Sequence, residues 1–220
     1  YNERNHNLYY LSTEISPLQR HLYRVRVDGR RKRSMTETEG WYSINMSRDF
    51  KYYIQTYSDF DKPPVYTLHE DNDKLIRVIE DNSQLVENLE NFTFQHKEFM
   101  TLNVNGSSLN AYMIKPPNFD ENQEYPVLMH VYGGPGSQRV TRNFASSERP
   151  MWHQFLANQG YIVITVDNRG TGGRGIEFQN QVYKQLGVLE TEEQVEAAKQ
   201  IAELPFVDGN RIGIWGWSYG

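Results

Sequence analysis

Between residues 1 and 80, apolar and polar residues alternate in short runs that are separated by turn-forming residues. In "HLYRVRVDG", Tyr23, Val25 and Val27 alternate with two arginines and lead into an Asp-Gly pair. Similar runs recur at "LYYLS", "WYSINMS", "FKYYIQTYS", "PPVYTLHED" and "KLIRVIED". A period of two over about five to eight residues is typical of half-buried strands. The pattern predicts an antiparallel meander of the kind that forms β-propeller blades, with enough strands for about one blade.

The next segment predicts a short helix and then a hairpin. Leucine and valine residues at helical spacing follow Asn82-Ser83, which can cap a first turn, so a linker helix is expected over 81–92. Further on, Asn105-Gly106 separates two alternating runs in "EFMTLNVNGSSLNAYMIKPP". Asn-Gly is the preferred sequence of a type I′ turn because both residues tolerate a positive φ, so the two runs predict a hairpin.

From residue 126 onward, continuous apolar runs are separated by runs with helical spacing. The segments "PVLMHVY", "YIVITVD" and "RIGIW" are largely apolar, which is typical of strands buried on both faces of a parallel sheet. Between them, "PMWHQFLANQG" predicts a helix that ends at Gly160, and Thr191 with Gln194 predicts a capping box for a second helix. The residues expected to face the core from these helices are Met151, Trp152, Phe155 and Leu156, then Val195, Ala198, Ile201 and Ala202.

The third apolar run leads into Gly216-Trp217-Ser218-Tyr219-Gly220, which fits G-x-S-x-G. In serine hydrolases this sequence forms a sharp turn after a buried strand and presents the serine as a nucleophile. Ser218 is therefore the candidate nucleophile, and Gly216 and Gly220 are the structural glycines of the turn, where a Cβ would crowd the strand or the next helix. The alternative is a serine in an ordinary Gly-rich turn.

The order strand, helix, strand, helix, strand before a G-x-S-x-G turn is that of an α/β hydrolase. We therefore predict that residues 93–220 are the first part of an α/β-hydrolase catalytic domain, with a mostly parallel sheet and helices. Residues 1–92 are predicted to be the end of an antiparallel β-propeller domain, followed by the linker helix.

A second glycine-rich segment, "VYGGPGSQ", directly follows the first apolar run. The α/β-hydrolase fold places there a loop that supplies part of the oxyanion hole. The backbone N–H of Tyr219, the residue after the nucleophile, is expected to be one hydrogen-bond donor, and the hydroxyl of Tyr132 is expected to be the other. The alternative is that Tyr132 merely ends a strand and the glycines merely form a turn.

The remaining candidates fit structural roles better. "DNRGTGGRG" lacks the glycine spacing and the lysine of a phosphate loop, so it predicts a structural loop around a paired Arg169. All six histidines precede Ser218, whereas the triad histidine of an α/β hydrolase follows the serine. His130 and His153 are expected to be packing or capping residues. The chain alone is therefore expected to be inactive.

Composition excludes several classes of function. The chain has 220 residues and a net charge of −5, which argues against nucleic acid as a partner. The single basic run, Arg30 to Arg33, follows an Asp-Gly pair and is interpreted as a solvated hairpin tip. Because the chain contains no cysteine, disulfides and thiolate metal sites are excluded. No metal and no organic cofactor is implied, since serine-based hydrolysis needs neither.

Several separate motifs together resemble the prolyl oligopeptidase family of serine peptidases, in particular its dipeptidyl peptidases. These motifs are "EISPLQRHLYRV", "LIRVIEDNSQL", "VYGGPGSQ", "DNRGTGGRG" and "RIGIWGWSYG", in that order along the chain. The resemblance covers essentially all 220 residues. It implies a β-propeller that caps an α/β-hydrolase domain, and release of N-terminal dipeptides with Pro, or less well Ala, in the second position.

Carried over by position, the resemblance implies that Ser218 is the nucleophile, Tyr132 the side-chain oxyanion donor and Tyr219 the backbone donor. It also implies that the rings of Tyr219 and Tyr132 contribute to substrate binding, with Tyr219 forming part of the wall of the proline pocket. The triad Asp and His, and the glutamates that bind the substrate amine, have no counterpart in this chain. The chain is therefore expected to be an interior stretch of a longer enzyme.

The resemblance further implies peptide substrates, a homodimer, and a secreted, periplasmic or membrane-anchored enzyme. Two other interpretations remain open. One is a related tripeptidyl or acylaminoacyl peptidase. The other is a non-catalytic relative that uses a propeller for binding, although intact Ser218 and Tyr132 argue against it.

Overall fold

A computed structural model describes residues 1–144 and 149–220, which divide into two compact units. The first unit consists of Tyr1–Asn91 together with Thr141–Phe144, and the second of Phe92–Val140 together with 149–220. In the described part of the chain, no helix is long and apolar enough to cross a membrane.

The first unit contains two antiparallel sheets, as the alternating pattern predicts. The three-stranded sheet has the order β1-β2-β3 and the four-stranded sheet has the order β4-β5-β6-β7. A turn at Asp28-Gly29, where Gly29 has φ 80°, follows β2 in the connection to β3. The two sheets do not form a closed propeller. The strands are β1 (Asn7–Ser12), β2 (His21–Arg26), β3 (Arg33–Ser34), β4 (Trp41–Met46), β5 (Tyr52–Asp59), β6 (Lys62–Glu70) and β7 (Leu75–Glu80).

The predicted linker helix exists, but its predicted cap is wrong. Helix α1 spans Ser83–Glu90, and Asn82 precedes it in the left-handed conformation without a side-chain bond to the first turn. The Asn82 amide donates instead to the carbonyl of Pro64, with an N–O distance of 2.6 Å. This bond to β6 holds the Asn82 side chain through its nitrogen, and its oxygen, which would be the capping acceptor, makes no bond to the first turn.

The second unit is built on one five-stranded mixed sheet with the order β12-β10-β11-β9-β8. The predicted hairpin is confirmed, and Asn105 and Gly106 at its tip both have a positive φ. β10 pairs in parallel with β11 and with β12, so that Met129 lies opposite Ile164 and Ile214. The strands are β8 (Lys97–Val104), β9 (Ser107–Ile114), β10 (Tyr125–Val131), β11 (Ile162–Val166) and β12 (Val207–Gly216).

Burial along the sheet follows strand position. Every residue of β11 is buried, as predicted for a strand with neighbours on both sides and both faces covered. The prediction that β12 is a buried strand is wrong for this chain, because β12 pairs only with β10 and Ile214 is 61% exposed. Two α-helices follow β11 along the chain, the short α3 (Ile176–Gln179) and α4 (Leu189–Ala202). The core lies between the central strands and α4 and includes Val104, Leu109, Ile162, Ile164 and Ile201.

Helix α2 (Pro150–Asn158) ends as predicted but faces the sheet with different residues. Gly160 follows it with φ 89°, as expected for a glycine beyond a helix end. Met151, Trp152 and Phe155, which were expected to face inward, are 53%, 42% and 54% exposed, and Leu156 is only half-buried. The buried residues are His153, Gln154 and Ala157.

Polar contacts set the rotation of helix α2. The side-chain oxygen of Gln154 accepts from the backbone N–H of Gln95 at 2.7 Å, and the Gln154 amide donates to the Gln95 carbonyl at 2.9 Å. The His153 ring lies 4.6 Å from the ring of His130 in β10. Both histidines are buried packing residues, as predicted.

Burial of His153 predicts a specific pH dependence of stability. Burial, with the nearby His130 and Lys97, lowers the pKa of His153 to about 3. Between this value and the ordinary pKa near 6.5, the unfolded chain binds a proton that the folded chain does not, so acidification favours unfolding. From pH 7 to pH 5 this single group is expected to remove about 2 kcal/mol of stability.

The measurement is the thermal unfolding midpoint at pH 7 and pH 5, for the natural protein and for His153→Gln. The variant loses one titrating group, so its midpoint is expected to fall less on acidification than that of the natural protein. An equal fall in both proteins would show that His153 does not titrate on unfolding as described.

Candidate functional site

A tight turn at the end of β12 carries the candidate nucleophile. Ser218 has φ 62°, in the left-handed region that side chains other than glycine rarely adopt, and it is exposed to solvent. The N–H of Gly220 donates to the carbonyl of Trp217 at 3.2 Å and closes the turn. A strained residue of this kind costs on the order of 1–3 kcal/mol and persists only where its surroundings hold it.

The two glycines of the turn are held against the end of β10. A Cβ on Gly216 would lie 2.8 Å from the carbonyl oxygen of Val131, and it would also collide with Gly220. A Cβ on Gly220 would overlap the carbonyl oxygen of Val131 and lie 2.8 Å from its carbonyl carbon. These distances are shorter than a Cβ tolerates, so the turn approaches Val131 and Tyr132 closely only because both positions lack a side chain.

Tyr132 and Tyr219 lie beside each other at this turn. Their ring centroids are 6.2 Å apart and the rings are tilted by 40°. Tyr132 directly follows β10, and Tyr219 directly follows Ser218, so the ends of two parallel neighbouring strands bring the two rings together. The structure thus collects all the sequence-predicted site residues at one edge of the sheet.

Glu190, at the start of α4, fixes the Tyr219 ring and was missed by sequence reasoning. The Tyr219 hydroxyl donates to one carboxylate oxygen of Glu190 at 2.7 Å, and the other oxygen accepts the N–H of Gly187 at 3.0 Å. Burial and the Glu190 hydrogen bond raise the pKa of Tyr219 to about 12.

These contacts also correct the predicted capping box. The helix begins at Leu189, and Glu190 rather than Gln194 reaches back to a backbone N–H. The Thr191 hydroxyl donates to the Gly187 carbonyl at 2.7 Å. The predicted core face of α4 is only partly correct: Ile201 is buried, but Val195 is exposed. The buried residues of the helix are Glu190, Glu193, Gln194, Ala197 and Ile201.

The loop that begins at Tyr132 is held by the loop that follows β11. Asp167 is buried, and its carboxylate accepts the N–H of Arg139 at 3.0 and 3.1 Å and the N–H of Val140 at 2.8 Å. Burial raises the pKa of Asp167 to about 6, although these N–H groups and nearby arginines favour its charged form. The carboxylate is thus a buried acceptor that binds the far end of the Tyr132 loop.

Asn168 binds the near end of the same loop. It is completely buried, its amide nitrogen donates to the carbonyl of Gly133 at 3.1 Å, and its oxygen accepts from Gln194 at 3.1 Å. One side chain therefore connects the residue after Tyr132 to helix α4. Backbone bonds between Gly136 and Gly170, and between Gly172 and Ser137, complete the contact between the two loops.

Arg169 is paired, as predicted for a structural loop. Its backbone N–H donates at 2.7 Å to Glu193, and its guanidinium also binds the Glu193 carboxylate. Glu193 is completely buried in helix α4. This ion pair connects the loop after β11 to the helix and leaves no role for Arg169 in binding a phosphate.

A cavity of about 410 Å³ lies beside the turn. Its lining includes Tyr132, Glu190, Gln194, Tyr219 and residues of β12, but not Ser218. The cavity therefore borders both tyrosines but not the candidate nucleophile.

Comparison with known proteins identifies the chain. Residues 149–220 match the prolyl oligopeptidase family, and residues 1–64 match the N-terminal region of dipeptidyl peptidase IV. The chain belongs to the prolyl oligopeptidase family, as a segment of the dipeptidyl peptidase IV type. The resemblance read from the motifs is thereby confirmed.

Relatives match nearly the whole chain, but the chain matches only part of each. It is 36% identical to a probable dipeptidyl-aminopeptidase B of Arthroderma benhamiae, over 99% of this chain and 24% of that protein. It is 37% identical to dipeptidyl peptidase 4 of Bos taurus, over 97% of this chain and 28% of that protein. The chain therefore spans about a quarter of the length of these relatives.

A solved structure has the same arrangement of elements. The crystal structure of Porphyromonas gingivalis dipeptidyl peptidase 4 matches with a TM-score of 0.91 and 40% identity, over 98% of this chain and 30% of that one. The mixed sheet and the antiparallel sheets described above are thus shared with a member of this family.

The close approach of the turn to β10 predicts which glycines are essential. Gly216→Ala should displace the turn and prevent Ser218 from reacting with a fluorophosphonate probe, because its Cβ meets backbone atoms that cannot move aside. Gly213→Ala, in the same strand, is the matched control, since its Cβ would make only an ordinary 3.6 Å contact with Leu128.

The measurement is the rate of probe labelling in the complete protein, with circular dichroism to confirm that both variants are folded. Labelling of Gly216→Ala at the natural rate would contradict the steric account. If Gly213→Ala also lost labelling, an added methyl group anywhere in β12 would have this effect. The loss in Gly216→Ala could then not be attributed to the close approach of the turn to β10.

Proposed function

We propose that this chain is part of a serine peptidase that releases N-terminal dipeptides through an acyl-enzyme, with Ser218 as the nucleophile. The observation that carries the proposal is the strained left-handed conformation of Ser218, at the end of a parallel strand and beside two tyrosines. Strain of this kind at an exposed serine has no packing purpose, and it is the geometry in which a hydroxyl is presented for attack.

In the proposed reaction, the Ser218 oxygen attacks the carbonyl carbon of the scissile bond, and its proton passes to a general base. The oxygen of the tetrahedral intermediate accepts hydrogen bonds from the Tyr219 N–H and the Tyr132 hydroxyl. The intermediate collapses when the leaving amine takes up the proton, and water later hydrolyses the ester. Serine needs such a base to react, so the triad Asp and His must come from elsewhere in the complete enzyme.

The same proposal covers the organisation of the chain. Residues 93–220 would form the first part of an α/β-hydrolase catalytic domain, and residues 1–92 the end of a β-propeller domain with its linker helix. The parallel pairing of β10, β11 and β12 supports the first assignment, and the antiparallel sheets support the second. The isolated chain would be inactive.

The proposed substrates are peptides with Pro or Ala as the second residue, and the complete enzyme would be a homodimer that is secreted, periplasmic or membrane-anchored. The relatives named dipeptidyl peptidases support cleavage after two residues. A tripeptidyl or acylaminoacyl peptidase is the alternative within the same chemistry, and a non-catalytic binding protein is the alternative outside it.

The proposal predicts selective labelling of Ser218. The complete enzyme should gain one fluorophosphonate adduct and cleave Xaa-Pro substrates, whereas Ser218→Ala should gain no adduct and lose turnover but still bind substrate. The chain of 220 residues alone should stay unlabelled, because its serine has no base. Intact mass spectrometry and a chromogenic dipeptide assay measure both effects.

The outcomes separate the candidates. Adduct formation without release of dipeptides, but with release of tripeptides or acylated residues, would select the alternative specificity. An unlabelled complete enzyme would support a non-catalytic relative, and full activity of Ser218→Ala would overturn the nucleophile assignment.

A further inference from the structure

The guanidinium group of Arg139 lies on the ring of Tyr132. The central carbon of the guanidinium is 4.3 Å from the ring centroid, well within the distance of about 6 Å at which a cation is attracted to an aromatic face. Arg139 is seven residues after Tyr132 in the same loop, so the loop must fold back to bring the charge to the ring. Nothing in the sequence indicated this contact.

Buried hydrogen bonds keep Arg139 in this place. The backbone N–H of Arg139 donates to both carboxylate oxygens of Asp167, and the next N–H, of Val140, donates to one of them. Asp167 directly follows the fully buried strand β11, so its position is fixed by the sheet. The backbone at Arg139 is thus bound to a buried carboxylate at the end of a fully buried strand.

A second arginine lies near the same carboxylate. Asp167 interacts electrostatically with both Arg139 and Arg174. Arg174 lies on a different ring, that of Phe178, with its guanidinium carbon 4.1 Å from the ring centroid. Arg174 is therefore a matched comparison for Arg139, since both arginines interact with Asp167 but their aromatic contacts differ.

We propose that Arg139 is a positioning residue that acts through Tyr132 and makes its hydroxyl a stronger hydrogen-bond donor to the oxyanion. A cation on the ring face draws electron density from the ring and from the phenol oxygen, which polarises the O–H bond. It also limits the rotation of the ring, so the hydroxyl is preorganised for the oxyanion. A stronger and preorganised donor contributes most when negative charge develops on the substrate oxygen that accepts its hydrogen bond, that is, in the transition state.

This inference rests on the proposed function, in which Tyr132 is an oxyanion donor. Arg139 lies outside the G-x-S-x-G turn, and its proposed contribution to kcat depends on the hydroxyl oxygen of Tyr132. A residue that merely supported the loop would instead affect the enzyme whether or not that oxygen was present.

The experiment is a double-mutant cycle in the complete enzyme, with kcat and KM measured on one Xaa-Pro substrate. Tyr132→Phe removes only the hydroxyl and should lower kcat about hundredfold with little change in KM. Arg139→Met keeps an apolar side chain of similar length without charge and should lower kcat about three- to tenfold, again with little change in KM. In the Tyr132→Phe background, Arg139→Met should change kcat less than twofold.

Two further variants serve as controls. Arg139→Lys keeps a cation that can reach the ring and should recover a large part of the kcat lost in Arg139→Met. Arg174→Met removes a neighbouring positive charge that lies on Phe178 instead, and it should show the same effect on kcat with or without the Tyr132 hydroxyl.

The possible results are distinct. If Tyr132→Phe leaves kcat unchanged, the oxyanion role of Tyr132 fails, and with it the basis of this inference. If Tyr132→Phe lowers kcat but Arg139→Met lowers it equally in both backgrounds, the proposed function stands and Arg139 is only a structural residue. An effect of Arg139→Met on KM alone would also overturn the inference.

Discussion

The loops that follow β10 and β11 meet through hydrogen bonds that are buried from water, and the place of Tyr132 depends on them. Asp167 binds two N–H groups at the far end of the Tyr132 loop, and Asn168 binds the carbonyl of Gly133 at its near end. Buried polar groups that lose their partners are costly, so this contact has few alternative arrangements. A glycine-rich loop, which would otherwise be mobile, thereby holds a tyrosine in one position.

The same constraint extends to the nucleophile. The turn at Ser218 packs against the backbone of Val131 and Tyr132, and Glu190 of α4 fixes the Tyr219 ring from the other side. The first part of helix α4 therefore buries two glutamates and a glutamine, because it faces loops that need hydrogen-bond partners, whereas Ala197 and Ile201 further along the helix pack in the core. The strain at Ser218 is offset by this packed and hydrogen-bonded surrounding.

Local chemistry explains which features were predictable from the sequence. The Asn105-Gly106 turn, the buried strand β11 and the glycine after α2 depend on neighbouring residues, and they were predicted correctly. The inward faces of α2 and α4, and the cap of α4, were not, because partners distant in sequence determine them. Asp167 and Asn168 were missed for the same reason. Their partners are backbone N–H and C=O groups of the Tyr132 loop, about 30 residues earlier in the sequence, which no local pattern identifies.

The most direct test of this account is a crystal structure of the complete enzyme after reaction with a dipeptide boronic acid, which mimics the tetrahedral intermediate. The account predicts a covalent bond from the Ser218 oxygen to boron and one boronate oxygen within about 3 Å of both the Tyr219 nitrogen and the Tyr132 hydroxyl. A boronate bound to another residue, or one whose oxygens contact neither tyrosine, would contradict it.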